Sequence, residues 1–153
     1  GVKIGLLGLM IAVGIKLGEK IEEKQREKNF YRDLQMDYPA IVESLSLYVG
    51  AGLSFKNAFF RIAKEYSQSS RSRPGFDGVV YLCNNIADGM SEAEAYRLWP
   101  SYCPTKEYRK LSSIIISGMK KGTKGMREIL EKESAGVEFL KCNIARKSAE
   151  RKV

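Results

Sequence analysis

The sequence contains no histidine among its 153 residues. That absence removes Ser-His and Cys-His nucleophile pairs, HExxH zinc sites and imidazole acid–base chemistry together. Cysteine is scarce: Cys83, Cys103 and Cys142, an odd count without a CxxC spacing. A structural zinc site usually takes four Cys or His ligands, and a disulfide scaffold does not suit this length and cysteine density. Free, mostly buried thiols in a reducing compartment fit best. The GxGxxG, GxSxG and EF-hand patterns are missing. GMKKGTKG (118–125) approaches a phosphate loop, but Gly122 is followed by Thr123 and then Lys124, the reverse of the required order, and no strand precedes it. No alternating strand pattern persists.

Long apolar runs are also lacking. The longest is IGLLGLMIAVGI at residues 4–15, between Lys3 and Lys16. As a helix it spans about 18 Å, against about 30 Å of hydrocarbon. It reads as a signal-peptide core, as an apolar helix packed on the domain, or as the end of a membrane helix begun outside this chain. The charged KLGEKIEEKQREK that follows carries no small-residue cleavage site. Gly5, Gly8 and Gly14 favour the membrane helix. Residues 16–33 continue as a charged helix former suited to a stalk, with Glu22 and Arg26 at i,i+4. Residues 1–35 are thus expected to form an apolar stump and stalk, and 36–153 a helical bundle.

What is abundant is charge and helical periodicity. Lys and Arg number 26 against 18 Asp and Glu, a net charge of +8. Residues 105–153 hold 13 of the basic and 6 of the acidic side chains, so nearly all the excess lies there. Such a region suits nucleic acid, anionic lipid, an acidic protein surface, or simple solubility.

The spacing predicts an all-α fold, an antiparallel bundle of about six helices with an extended N-terminal helix. Pro39 is expected in a helix's first turn, with Asp37 as its cap, and Ile41, Leu45, Tyr48 and Gly52 on one face. Phe55, Ala58, Phe59, Ile62 and Tyr66 form the clearest stripe. Val79, Leu82, Cys83 and Ile86 make a third, although GVVYLC also suits a short strand. Ser91 with Glu94 opens a short helix that Pro100 is expected to end. Thr105 is expected to cap a helix carrying Tyr108, Leu111, Ile115 and Met119. The last helix is expected to bury Met126, Ile129, Leu130, Val137, Leu140 and Ile144, with Gly125 and Gly136 permitting close contact. Three corners repeat one chemistry: Gly52 with Ser54, Gly89 with Ser91, and Gly122 with Thr123. In each, a glycine ends one helix and a hydroxyl caps the next.

The runs MDYPAIVESLSLYVGAGLSFKNAFFRIAKEY (36–66), IADGMSEAEAYR (86–97) and SSIIISGMKKGTKGMREILEKES (112–134) resemble the type II secretion system F domain. That family includes the platform proteins of tight-adherence and type IV pili. Its members show a helix ending in an Ala-Gly-Leu-Ser-like corner, then a Gly-x-Ser corner, then a Gly-Thr corner. The likeness covers roughly residues 36–150. The Ser/Arg-rich stretch 67–78 and WPSYCP (99–104) depart from the family pattern.

The resemblance implies a non-enzymatic scaffold without catalytic, metal or cofactor residues, on the cytoplasmic face of a bacterial inner membrane. Its implied partners are a secretion or pilus assembly ATPase, the membrane and other platform subunits, as a homo-oligomer or paired with a paralogue; no nucleic acid is expected. KSAERKV (147–153) resembles the basic stretch before such a protein re-enters the membrane, in keeping with the positive-inside rule. Lys120, Lys121, Lys124 and Arg127 become the candidate partner contact. The alternative is a basic helical nucleic-acid-binding domain, although no helix combines a dense basic face with base-reading residues.

Overall fold

A computed structural model describes residues 2–151, the Thr123 side chain apart. They form five α-helices, the last bent into two arms, so that six helical rods result with no strand among the described residues. The all-α class follows the sequence's periodicity. The chain divides into a unit ending at Arg32 and a unit beginning at Asp33.

The first unit is helical throughout, as the leading part of α1 (Val2–Gly50). Its large apolar side chains, from Val2 and Ile4 to Ile15 and Leu17, are exposed and cover most of the helix, apart from the strip of Gly5, Gly8 and Ala12. Gly5, Gly8 and Gly14 face open space. Among the described residues, no helix is long and apolar enough to cross a membrane.

In the second unit, α1 turns one stripe inward: Leu34, Tyr38, Ile41, Val42, Leu45 and Val49 are buried. The expected helix start at Pro39, with Asp37 as its cap, is corrected. The helix runs straight through Pro39. Proline forgoes one backbone hydrogen bond there, and burial of the stripe on both sides offsets it. Asp37 is free to serve another element.

α2 (Phe55–Ser67) buries Phe55, Ala58, Phe59 and Ile62, as its stripe predicts. α3 (Pro74–Ala87) is helical through GVVYLC, which settles the strand alternative. α4 (Glu92–Tyr102) continues two residues past Pro100 instead of ending there. Pro100 has no N–H to offer the Tyr96 carbonyl, and the buried Ser112 hydroxyl donates to that carbonyl instead. α5 (Lys106–Arg151) follows Thr105, whose buried hydroxyl finds no partner, so its capping role is not realised by the side chain.

The rods alternate in direction. Tyr66 stacks on Phe76 at 5.2 Å between α2 and α3, and Tyr81 on Tyr102 at 4.8 Å between α3 and α4. α5 breaks at Gly122 (φ 76°, ψ 179°). Beyond it the chain doubles back: a Cβ on Gly118 would stand 3.4 Å from Met126 Cγ, and Lys110 Nζ meets Glu133 Oε2 at 2.8 Å. The first arm (106–121) buries Tyr108, Leu111 and Ile115. Among the described residues of the second arm (123–151), only Leu130 and Val137 are fully buried, while Leu140 is exposed. Nothing approaches Gly136, so its expected role in close helix contact is not met. The centre is aromatic, with the buried Trp99 ring edge-on to Phe59 at 5.2 Å and to Tyr108 at 5.3 Å. Such edge-to-face pairs add about 1 kcal/mol each beyond burial.

Candidate functional site

Because the rods alternate, the three glycine corners come to the same end of the second unit. Gly52 (φ 101°), Gly89 (φ 105°) and Gly122 (φ 76°) are the positive-φ residues of the described chain. At Gly52 the Leu53 amide donates to the Tyr48 carbonyl and the Gly52 amide to the Val49 carbonyl, both at 3.0 Å. Met90 and Gly89 repeat that pair onto Asn85 and Ile86. The left-handed glycine lets each helix satisfy its last carbonyls while the chain reverses. Ser54 Oγ then accepts the Asn57 amide at 3.3 Å, and Ser91 Oγ accepts the Glu94 amide at 3.3 Å while donating to Glu94 Oε2. Gly122 works differently. It is a single extended residue between two arms; the Thr123 side chain lies outside the described residues.

The basic residues singled out in the sequence gather at this end but are not equivalent. Lys120, Lys121 and Lys124 are exposed. None of them meets a carboxylate within 4.0 Å among the described residues, unlike Arg61, Arg73, Lys110 and Lys141. Arg127 is engaged: its Nη2 donates to the Gly50 carbonyl at 2.9 Å and closes the end of α1. Sequence reasoning missed Lys56. Phe55 packs against Gly118, with 3.5 Å from Phe55 Cε2 to the position a Cβ would take, which brings the first turn of α2, with exposed Lys56, beside the bend of α5. The cue was Ser54, which fixes where α2 begins.

The opposite end holds a polar knot. Asp37 is 4% exposed. Its Oδ1 takes Arg73 Nε at 2.8 Å and its Oδ2 accepts the Gly75 amide at 3.0 Å. The Arg73 guanidinium also lies 4.4 Å over the Phe76 ring. Tyr108 Oη donates to the Leu34 carbonyl at 3.0 Å. Along the second arm, Tyr38 Oη donates to Glu133 Oε1 at 2.8 Å, so Glu133 is shared between Tyr38 and Lys110. A hollow of about 430 Å³ opens beside Asp37, walled by Met36 and the 69–74 loop.

These groups hold helices together. Burial pushes the phenols of Tyr38, Tyr96 and Tyr108 well above their usual range. It pushes the Cys83 and Cys103 thiols up to about 12. That is the opposite of what a nucleophilic thiolate needs. All three cysteines are free, Cys142 being the exposed one. Among the described residues no cluster of acidic or thiol side chains has the grouping of a metal site. No family model, curated protein or solved structure matches the chain.

Proposed function

We propose that this chain is the non-enzymatic cytoplasmic domain of an inner-membrane platform protein for pilus assembly or type II-like secretion. In this reading it passes the motion of an assembly ATPase to the extraction of pilin-like subunits. The observation that carries the reading is the first unit. Its large apolar side chains are exposed around most of the helix, apart from the strip of Gly5, Gly8 and Ala12, an arrangement unstable in water and natural in lipid. The Ala-Gly-Leu-Ser, Gly-x-Ser and Gly-Thr corners, in that order, support it further. So does the basic character of residues 105–153.

The exposed Cys142 provides the test. In intact cells making the native gene product, a membrane-impermeant maleimide should leave Cys142 unlabelled until the membrane is opened. The protein should sediment with membranes through an alkaline wash. Recovery in the soluble fraction, or labelling from outside, would overturn the reading.

A further inference from the structure

We infer that the glycine-corner end of the second unit is a docking surface for an acidic segment of a partner protein, seated on Lys56, Lys120, Lys121 and Lys124. This rests on the reading above only in making the assembly motor the carrier of that segment; the surface stands on its own geometry. Lys56 comes from the first turn of α2 and the others from both sides of the Gly122 bend, and the packing of Phe55 on Gly118 brings these two segments together. All four are exposed, and none has a carboxylate within 4.0 Å among the described residues. α2 and the second arm also point their N-terminal, partially positive ends here. Arg127, tied to Gly50, holds the two corners together.

The same end argues for a discrete acidic segment over a flat anionic surface. The end of α3 carries Asp88, and the first turn of α4 carries Glu92 and Glu94. A lipid sheet or a length of duplex laid across this end would meet those carboxylates as well as the lysines. A short protein segment can occupy the basic side alone. Exposed Met119, beside the lysines on the first arm, offers it an apolar contact.

The test titrates the whole purified chain with a labelled peptide that has glutamates on one helical face and leucines on the other. Phosphatidylglycerol vesicles and a duplex DNA oligonucleotide are titrated in parallel. Reversing the four lysines to Glu should weaken peptide binding about tenfold, with helix content unchanged. Reversing Lys64, Arg71, Arg97 and Lys106, an equal change in net charge, should not. Should the Glu variant fail to fold, the four-Gln variant is used and should weaken binding by a smaller factor. Equal loss in the two sets of variants would overturn the inference. So would patch-dependent binding to vesicles or DNA in preference to the peptide. Either failure leaves the membrane fractionation result standing, so the two proposals fail separately.

Discussion

The Asp37 carboxylate accepts the backbone amide of Gly75 at 3.0 Å, closing the first turn of α3 from a position 38 residues earlier in the chain. Arg73, at the N-cap position of α3, makes no side-chain cap of its own and instead pairs with the other Asp37 oxygen. One buried carboxylate therefore does two jobs. Asp37→Ala should cost about 2–3 kcal/mol, since it leaves the Gly75 amide unpaired. The cost falls below the about 3–5 kcal/mol of a broken, fully buried pair because the Arg73 side chain is 40% exposed and regains water. Asp37→Asn keeps an acceptor and should cost about half as much. Urea unfolding of the variants checks both values and their order.

Gly75→Ala should be worse than its small size suggests. The added methyl would come within 2.6 Å of Asp37 Cβ and against the Tyr108 hydroxyl. Neither neighbour can move away without breaking the hydrogen bonds to Gly75 and Leu34. Overpacking of this kind costs about 1–3 kcal/mol. Gly50→Ala, where nothing stands within 4 Å and the backbone is helical, is the control and should be at least as stable as the parent chain.

The second arm of α5 should be the least protected rod of the second unit. Its two fully buried side chains, Leu130 and Val137, supply only about 3–6 kcal/mol of burial. Gly122→Ala forces an alanine to φ 76°, ψ 179°, at a strain of about 1–3 kcal/mol. Hydrogen exchange should therefore speed up across residues 123–151 while residues 106–121 stay protected. Uniform acceleration over both arms would show that they open together.

Much of this fold is legible in the sequence. The stripe at Phe55, Ala58, Phe59 and Ile62, the Ser54 and Ser91 caps and the left-handed glycines were readable because each is decided within a few residues. What was not legible depended on distant partners. Pro39 and Pro100 sit inside helices because tertiary burial, and the Ser112 hydroxyl at the Tyr96 carbonyl, compensate for their missing amides. Asp37 looked like a local cap, but Arg73 and Gly75 claim it. The basic corner was read on one segment, and only folding adds Lys56 and removes Arg127 from the free cations. Apolar periodicity in the second arm overstated its burial, since Phe139 and Leu140 stay exposed.

The thiols give a pH-dependent prediction. Burial raises Cys83 and Cys103 from 9.0 to about 12 in the folded chain, and once unfolded they ionise at their ordinary value. Their contribution to stability is complete below pH 9 and is lost as the pH rises from about 9 to about 12. The raised phenols of Tyr38, Tyr96 and Tyr108 act in the same direction. Thermal midpoints should be flat with respect to these groups below pH 9 and fall above it. At pH 8 a disulfide-exchange reagent should titrate one thiol quickly, Cys142, and all three only in denaturant.

Arg127 and its lysine neighbours should separate cleanly. Arg127→Met removes the donor to the Gly50 carbonyl and should cost about 1–2 kcal/mol. Lys120→Gln or Lys121→Gln should stay within about 0.5 kcal/mol of the parent.

A photo-activated cross-linker placed at Lys121 of the native gene product, in living cells, tests the coupling role most directly. Lys64, near the far end of α2, is the control position. An adduct with an assembly ATPase is expected from Lys121 and none from Lys64. Adducts without an ATPase, or the same ATPase yield from both positions, would contradict the coupling role.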